Sequence, residues 1–203
     1  MLFKRPNSKR EGLPAGQRPI DRILRWGVDH PTIGGPIPRR DLANWVLMIE
    51  GEVEQPVKLN WTDFLQYPRV ELVRDFHCVE GWSVLNCKWE GVSVKHIIDV
   101  VKPKPDAKFV TFECEDYYST SLPVETLLAE EAILAYRLNG EELADELGGP
   151  LRLFVPDKYA YKSAMWLKRI KFTIKKETGY WEENGYSDSA DVWKNDRYSR
   201  WRL

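Results

Sequence analysis

An imidazole, a thiol and a carboxylate stand close together in the run Phe76-His77-Cys78-Val79-Glu80-Gly81-Trp82-Ser83. A cysteine at the end of an apolar run can be a nucleophile, a metal ligand or core filling, and free cysteine is among the most buried residue types. A nucleophile–base pair of Cys78 with His77 fails on direction, because adjacent residues of an extended chain point to opposite faces. Cys78, Cys87, Cys114 and one histidine are suitable zinc ligands by type, but their spacings match no common zinc module. The histidines at 30, 77 and 96 are scattered, and His96 sits among apolar residues at helical spacing, as a structural side chain does. Glycine fingerprints for nucleotides, HExxH and GxSxG are all missing from the sequence. Taken alone, these residues leave the role of Cys78 open.

A second chemical segment runs from Pro150 to Ala164. Its strand-like part ends at Pro156, and the loop beyond brings Lys158, Lys162 and Ser163 after Arg152. Cationic side chains, a hydroxyl and small residues suit a phosphate or pyrophosphate, although an ordinary basic surface loop has the same composition.

The elements that must position these groups are short. Val70 to Cys78 reads as a strand entering the cysteine stretch, giving way at Gly81 to an irregular segment. Trp45 to Ile49, Val57 to Asn60, Phe109 to Phe112 and Leu151 to Val155 read as further strands, and Ile170, Phe172 and Ile174 alternate as in a half-exposed one. Thr62 is the expected cap of a brief helix through Leu65, and Ser93 that of a helix from Val94 to Val101 stopped by Pro103. Val124 to Glu130 is another short helix, and Asn139-Gly140 turns Ala132–Leu138 back along residues 141–143. Strands and brief helices without strict alternation predict an α+β fold: a single mixed α/β domain, strand-rich with short helices.

Residues 1–40 hold six of the thirteen prolines and many basic side chains. This N-terminal arm is expected to dock in part, through Trp26, Val28 and Ile33, with a helix-like spacing only over Ile20–Trp26. Residues 41–203 form the domain proper, ending in an aromatic-rich tail. A net charge of −1 gives no general signal for nucleic acid or an anionic membrane. Three cysteines without a CxxC pair predict a reduced, cytoplasmic protein, no apolar run is long enough to span a membrane, and no secretory leader is expected from the basic N-terminus.

Three runs give these segments a common context: His77-Cys78-Val79-Glu80-Gly81-Trp82-Ser83, Trp89-Glu90-Gly91-Val92 and Gly148-Gly149-Pro150-Leu151-Arg152-Leu153. To them are added Val155-Pro156, Tyr159, Lys162-Ser163-Ala164 with Trp166, Gly179-Tyr180-Trp181-Glu182 with Gly185-Tyr186, and Asp191-Val192-Trp193 with Arg197-Tyr198. As an ordered set they resemble the molybdenum-cofactor domain of the sulfite oxidase family. The set is most similar to the small stand-alone sulfite oxidase-like oxidoreductases, and more distantly similar to the catalytic subunit of the periplasmic methionine sulfoxide reductase.

The resemblance implies the molybdopterin-binding fold of that family and a molybdenum–molybdopterin cofactor, with Cys78 as the protein's sulfur ligand to the metal. A soft thiolate suits a metal already held by sulfur. It also implies that Arg152, Lys162, Ser163, Ala164 and Met165 grip the cofactor's phosphate end and pterin, with Lys158 a nearby candidate. Cys114 falls near a cofactor-contacting position of the distant reductase, and His30 reaches the pterin if the arm folds over it. Met165 stands where relatives often carry lysine, and Leu147 where a histidine commonly precedes Gly-Gly-Pro. Val79-Glu80-Gly81 replaces the arginines that bind the oxyanion in true sulfite oxidases. The expected activity is therefore oxygen-atom transfer with a small-molecule substrate, by sulfoxide or N-oxide reduction rather than sulfite oxidation. Tyr117, Tyr118 and Glu80 are candidates for the substrate mouth. No haem motif is present, so electrons are expected from a separate partner. The alternatives are a non-catalytic carrier of the cofactor, for which the retained Cys78 is superfluous, and a thiol redox protein.

Overall fold

The computed structural model describes residues 12–33, 35–129 and 131–199, in which eleven strands form two sheets. The first eleven residues of the arm, and Glu130 at the end of an expected helix, lie outside that description. In chain order the elements are β1 (Arg18–Pro19), β2 (Val46–Gly51), β3 (Val57–Asn60), α1 (Trp61–Phe64), β4 (Arg69–His77) and β5 (Trp82–Ser93). Next come α2 (Val94–Val101), β6 (Phe109–Cys114), β7 (Ser119–Pro123), α3 (Val124–Ala129), β8 (Ile133–Leu138) and β9 (Glu141–Glu142). The last are β10 (Arg152–Phe154), β11 (Leu167–Thr173) and α4 (Tyr180–Glu183).

One sheet has the order β3-β2-β11-β6-β7, with β11 parallel to β2 and antiparallel to β6. In the other, β4 lines one edge of the long strand β5, so β1 and β8 share its second edge, and β10 follows β8. The main core lies where Leu47, Ile49, Phe112 and Phe172 of the first sheet meet Val94 and Ile97 of α2 and Leu153 of β10. A second core covers the opposite face of the second sheet, where Trp89 and Phe154 stack with centroids 4.4 Å apart. Because β10 is buried on both faces, its apolar run hides a period-2 alternation. Leu153 points into the main core, and Arg152 and Phe154 point toward the second.

Some sequence expectations change. The segment after Gly81 is strand β5, not irregular; Leu85 and Asn86 are exposed, and the register with β4 shifts beside them, which breaks the alternation a sequence reader looks for. Asn60, not Thr62, caps α1: its side-chain oxygen accepts from Asp63 N at 2.9 Å. Ser93 stands at the N-cap of α2 without a side-chain cap bond. Residues 20–26 are not helical, and Val28 is exposed, whereas Ile23 is buried. No helix among the described residues is long and apolar enough to cross a membrane.

Candidate active site

Strands β4 and β5 are joined by a tight turn, and Cys78 sits at its entrance. Cys78 N donates to Trp82 O at 2.9 Å, and Gly81 N donates to Cys78 O at 3.1 Å. Gly81 has φ +94°, and a Cβ there would come within 2.9 Å of Gly16 O, so this corner requires glycine twice over. Two distant residues fasten the same turn. Gln17 Nε2 donates to Cys78 O at 3.1 Å, and the Arg197 guanidinium donates to Val79 O. His77 points the other way: its Nδ1 meets Ser83 Oγ at 2.7 Å, and burial lowers its pKa.

The turn forms one wall of a cleft with about 950 Å³ of space between its atoms, counted out to the mouth. Cys78 is partly exposed on it, and its thiol donates to Glu80 Oε2 at 3.8 Å. Burial, reinforced by the charge of Glu80, pushes this thiol up to about 12, so it is protonated at neutral pH. Glu80 is held in place by Trp82 Nε1, which donates at 3.0 Å, and by His30 Nε2 at 3.3 Å. It turns toward the cleft rather than away from it.

Arg152 closes the base. It is only 2% exposed, donates to Leu147 O at 2.8 Å and Ser163 O at 3.1 Å, and lies 5.2 Å from the Phe76 ring centroid and 5.7 Å from that of Trp89. It makes no ion pair among the described residues, and its buried Nε has no hydrogen-bond partner. Burial alone draws its pKa down from 12.5 to about 10. A buried cation with an orphaned donor beside a cleft is an incomplete anion site.

Of the residues singled out in the sequence, His30, Cys78, Arg152, Ser163 and Met165 come together on the cleft wall. Ser163 Oγ accepts from Val155 N at 3.1 Å, so its hydroxyl also braces the chain. Lys162 is directed elsewhere: fully buried, it pairs with Glu182 and donates to Ser121 O at 3.2 Å. Ala164 is buried, and its carbonyl accepts from Leu153 N at 2.8 Å. Cys114 lies in the main core with its backbone N donating to Tyr118 O, and Lys158 is buried where the chain bridges to Asp191. Tyr118 lines the cleft, whereas Tyr117 is 87% exposed outside it. Sequence reasoning missed Asp116, whose carboxyl is raised by burial, and gave no site role to Trp26, Trp181 or Tyr186. The only signal for the last two was their place in the family-ordered runs.

The donor set fits a pterin cofactor with an anionic end and a thiophilic metal: one thiol at the wall, one guanidinium at the base without an ion pair among the described residues, and a largely apolar space between. Among the described residues no group of three or more His, Cys, Asp or Glu side chains could hold a metal by itself, so the zinc arrangement is not assembled. Residues 34–181 match the oxidoreductase molybdopterin binding domain family. The chain belongs to the molybdopterin-binding oxidoreductase family. It is 40% identical over 166 residues to the uncharacterized oxidoreductase YuiH of Bacillus subtilis, covering 81% of this chain and 84% of that one. It is 32% identical over 178 residues to the protein-methionine-sulfoxide reductase catalytic subunit MsrP of Campylobacter jejuni, covering 78% of this chain but only 60% of the relative. Among solved structures it resembles the sulfane dehydrogenase SoxCD of Paracoccus pantotrophus, with a TM-score of 0.64 and 24% identity over 69% of this chain and 41% of that one. That last likeness concerns the fold. As a molybdopterin-binding oxidoreductase, the protein has the strand-rich mixed fold expected for the family, and its cofactor is a molybdenum–molybdopterin.

Proposed function

We propose that this oxidoreductase removes an oxygen atom from small sulfoxides or N-oxides, with Cys78 as the sulfur ligand to molybdenum. The observation that carries the reading is Arg152, a buried cation with no carboxylate partner among the described residues, in the same cleft as the Cys78 thiol. Bound there, the cofactor supplies two-electron redox chemistry. Arg152 would hold the anionic end of the cofactor, and Ser163, Met165 and His30 would bound its pterin, while Cys78 holds the metal end. Glu80, fixed by Trp82 and His30, keeps a carboxylate at the cleft and so disfavours sulfite and other anions. In the net reaction a sulfoxide takes two electrons and two protons and leaves as sulfide and water. The electrons come from a separate partner protein. The name of the Campylobacter relative, a methionine-sulfoxide reductase subunit, supports the direction of transfer.

The test is molybdenum and pterin analysis of the purified protein, followed by reduction of sulfoxides and N-oxides with a reduced viologen dye as electron donor. Bound cofactor with turnover is the expected result. Bound cofactor that no acceptor reoxidises would make the protein a carrier. Activity without molybdenum would point to thiol chemistry.

A further inference from the structure

The family match begins at residue 34, yet part of the cleft is built by residues ahead of it. Ile23, Leu24, Trp26, His30 and Ile33 all line the cavity. Trp26 is half-buried, with its ring 5.7 Å from His30, which stacks over Trp82 at 6.5 Å and an interplanar angle of 20°. An aromatic row thus runs from the arm to the turn that carries Cys78.

This wall is fixed rather than merely laid over the opening. Arg18 N donates to Gly81 O at 2.9 Å, Ile20 N to Ser83 O at 2.8 Å and Trp26 N to Glu146 O at 3.0 Å. The Asp29 carboxylate accepts from Arg25 N at 2.8 Å and from the Arg22 guanidinium at 2.6 Å, closing the turn that presents Trp26 and His30. Ile23, only 6% exposed, anchors the segment in the second core. The charges at the cleft are equally informative. Among the described residues its acids are Glu80 and Asp116, and its one lysine or arginine is Arg152, buried at the base.

We propose that Leu24, Trp26 and Ile33, presented by residues 20–33, are the specificity-determining wall of this cleft, selecting net-neutral oxygen donors whose substituent is aromatic or apolar. Sulfoxides and tertiary-amine N-oxides share that chemistry. The inference rests on the oxygen-transfer reading for its substrate class. An apolar substituent gains by leaving water against Ile33, Leu24 and the Trp26 ring, while an anionic one meets Glu80 and Asp116 with no exposed lysine or arginine among the described lining residues to receive it.

The experiment uses the cofactor-loaded full chain and measures kcat/KM for methyl phenyl sulfoxide against dimethyl sulfoxide, and for dimethylaniline N-oxide against trimethylamine N-oxide. Calorimetric binding of methyl phenyl sulfone, which the enzyme is not expected to reduce, provides a readout independent of turnover. Trp26→Ala is expected to lower the aromatic-to-methyl ratio about tenfold, the change matched by roughly 50 Å² of apolar contact. Sulfone binding should weaken by a similar factor, molybdenum and pterin content should hold, and Trp26→Phe should restore most of the ratio. Ile33→Ala reports on the same wall should Trp26→Ala fail to fold. Unchanged ratios and unchanged sulfone binding would overturn the proposal, as would loss of cofactor from Trp26→Ala, which would make the arm a cofactor cover. Trp26-dependent sulfone binding without reduction of any acceptor would support the wall and sink the oxygen-transfer reading.

Discussion

Replacing Arg152 by methionine separates a cofactor-binding cation from a structural one. Moving the folded-state pKa from 12.5 to about 10 corresponds to about 3 kcal/mol of unfavourable burial for the charge. Methionine relieves that cost and fills most of the volume, but leaves Leu147 O and Ser163 O without their donor, at about 1–3 kcal/mol each. These contributions oppose one another, so cofactor-free Arg152→Met should unfold in urea within about 3 kcal/mol of the wild type. An anion paired with the guanidinium recovers the burial cost, and its loss should weaken cofactor binding on the order of a hundredfold. The assay is molybdenum per chain by mass spectrometry and pterin by fluorescence after gel filtration, beside urea unfolding of the cofactor-free form. Wild-type cofactor content in Arg152→Met, together with a stability loss above about 4 kcal/mol, would make Arg152 a strut between β10 and its neighbours and refute the reasoning.

Further outcomes follow from other contacts. Cys78→Ala should abolish acceptor reduction yet cost only about 1 kcal/mol in thermal unfolding, since one small side chain is lost from a turn; retained turnover at normal molybdenum content would reject Cys78 as the ligand. Glu182→Gln leaves Lys162 buried without its counter-charge and should cost about 3–5 kcal/mol in urea unfolding, with Lys162→Met/Glu182→Gln recovering part of the loss. His77 has a folded-state pKa below its ordinary value of 6.5 because of burial, so the unfolded chain takes up its proton first. Stability should therefore fall as the pH drops below that value, by at most about 1.4 kcal/mol per pH unit from this group. His77→Asn should flatten the dependence, and identical slopes for variant and wild type would show that other groups dominate.

The strand–turn–strand around Cys78 was half legible in the sequence. Val70 to Phe76 announced its first strand, and Gly81 its corner, but β5 was hidden by the exposed Leu85-Asn86 pair. Strand β7 escaped for a different reason: Ser119-Thr120-Ser121 looks like loop, and the buried Thr120 hydroxyl is satisfied by donating to Glu182, 62 residues away, at 2.6 Å. The same carboxylate accounts for Lys162, which local composition groups with the phosphate-binding side chains and the folded chain turns toward Glu182. Arg152 was legible as a cation but not as a buried one, because an apolar run shows neither which face of a doubly buried strand a residue occupies nor whether a carboxylate meets it. What local sequence lacked in each case was the partner, and partners are set by topology.

The turn holding Cys78 has its fastenings far apart in the polypeptide: Gln17 lies 61 residues before Cys78, and Arg197 lies 118 residues after Val79. A ribosome makes the chain in one direction, so β4 and β5 can pair long before Arg197 has left the exit tunnel. During that interval Cys78 sits on a hairpin clamped from one side only. The geometry around the proposed metal ligand is thus complete only after Arg197 has been made, well after the two strands that carry Cys78.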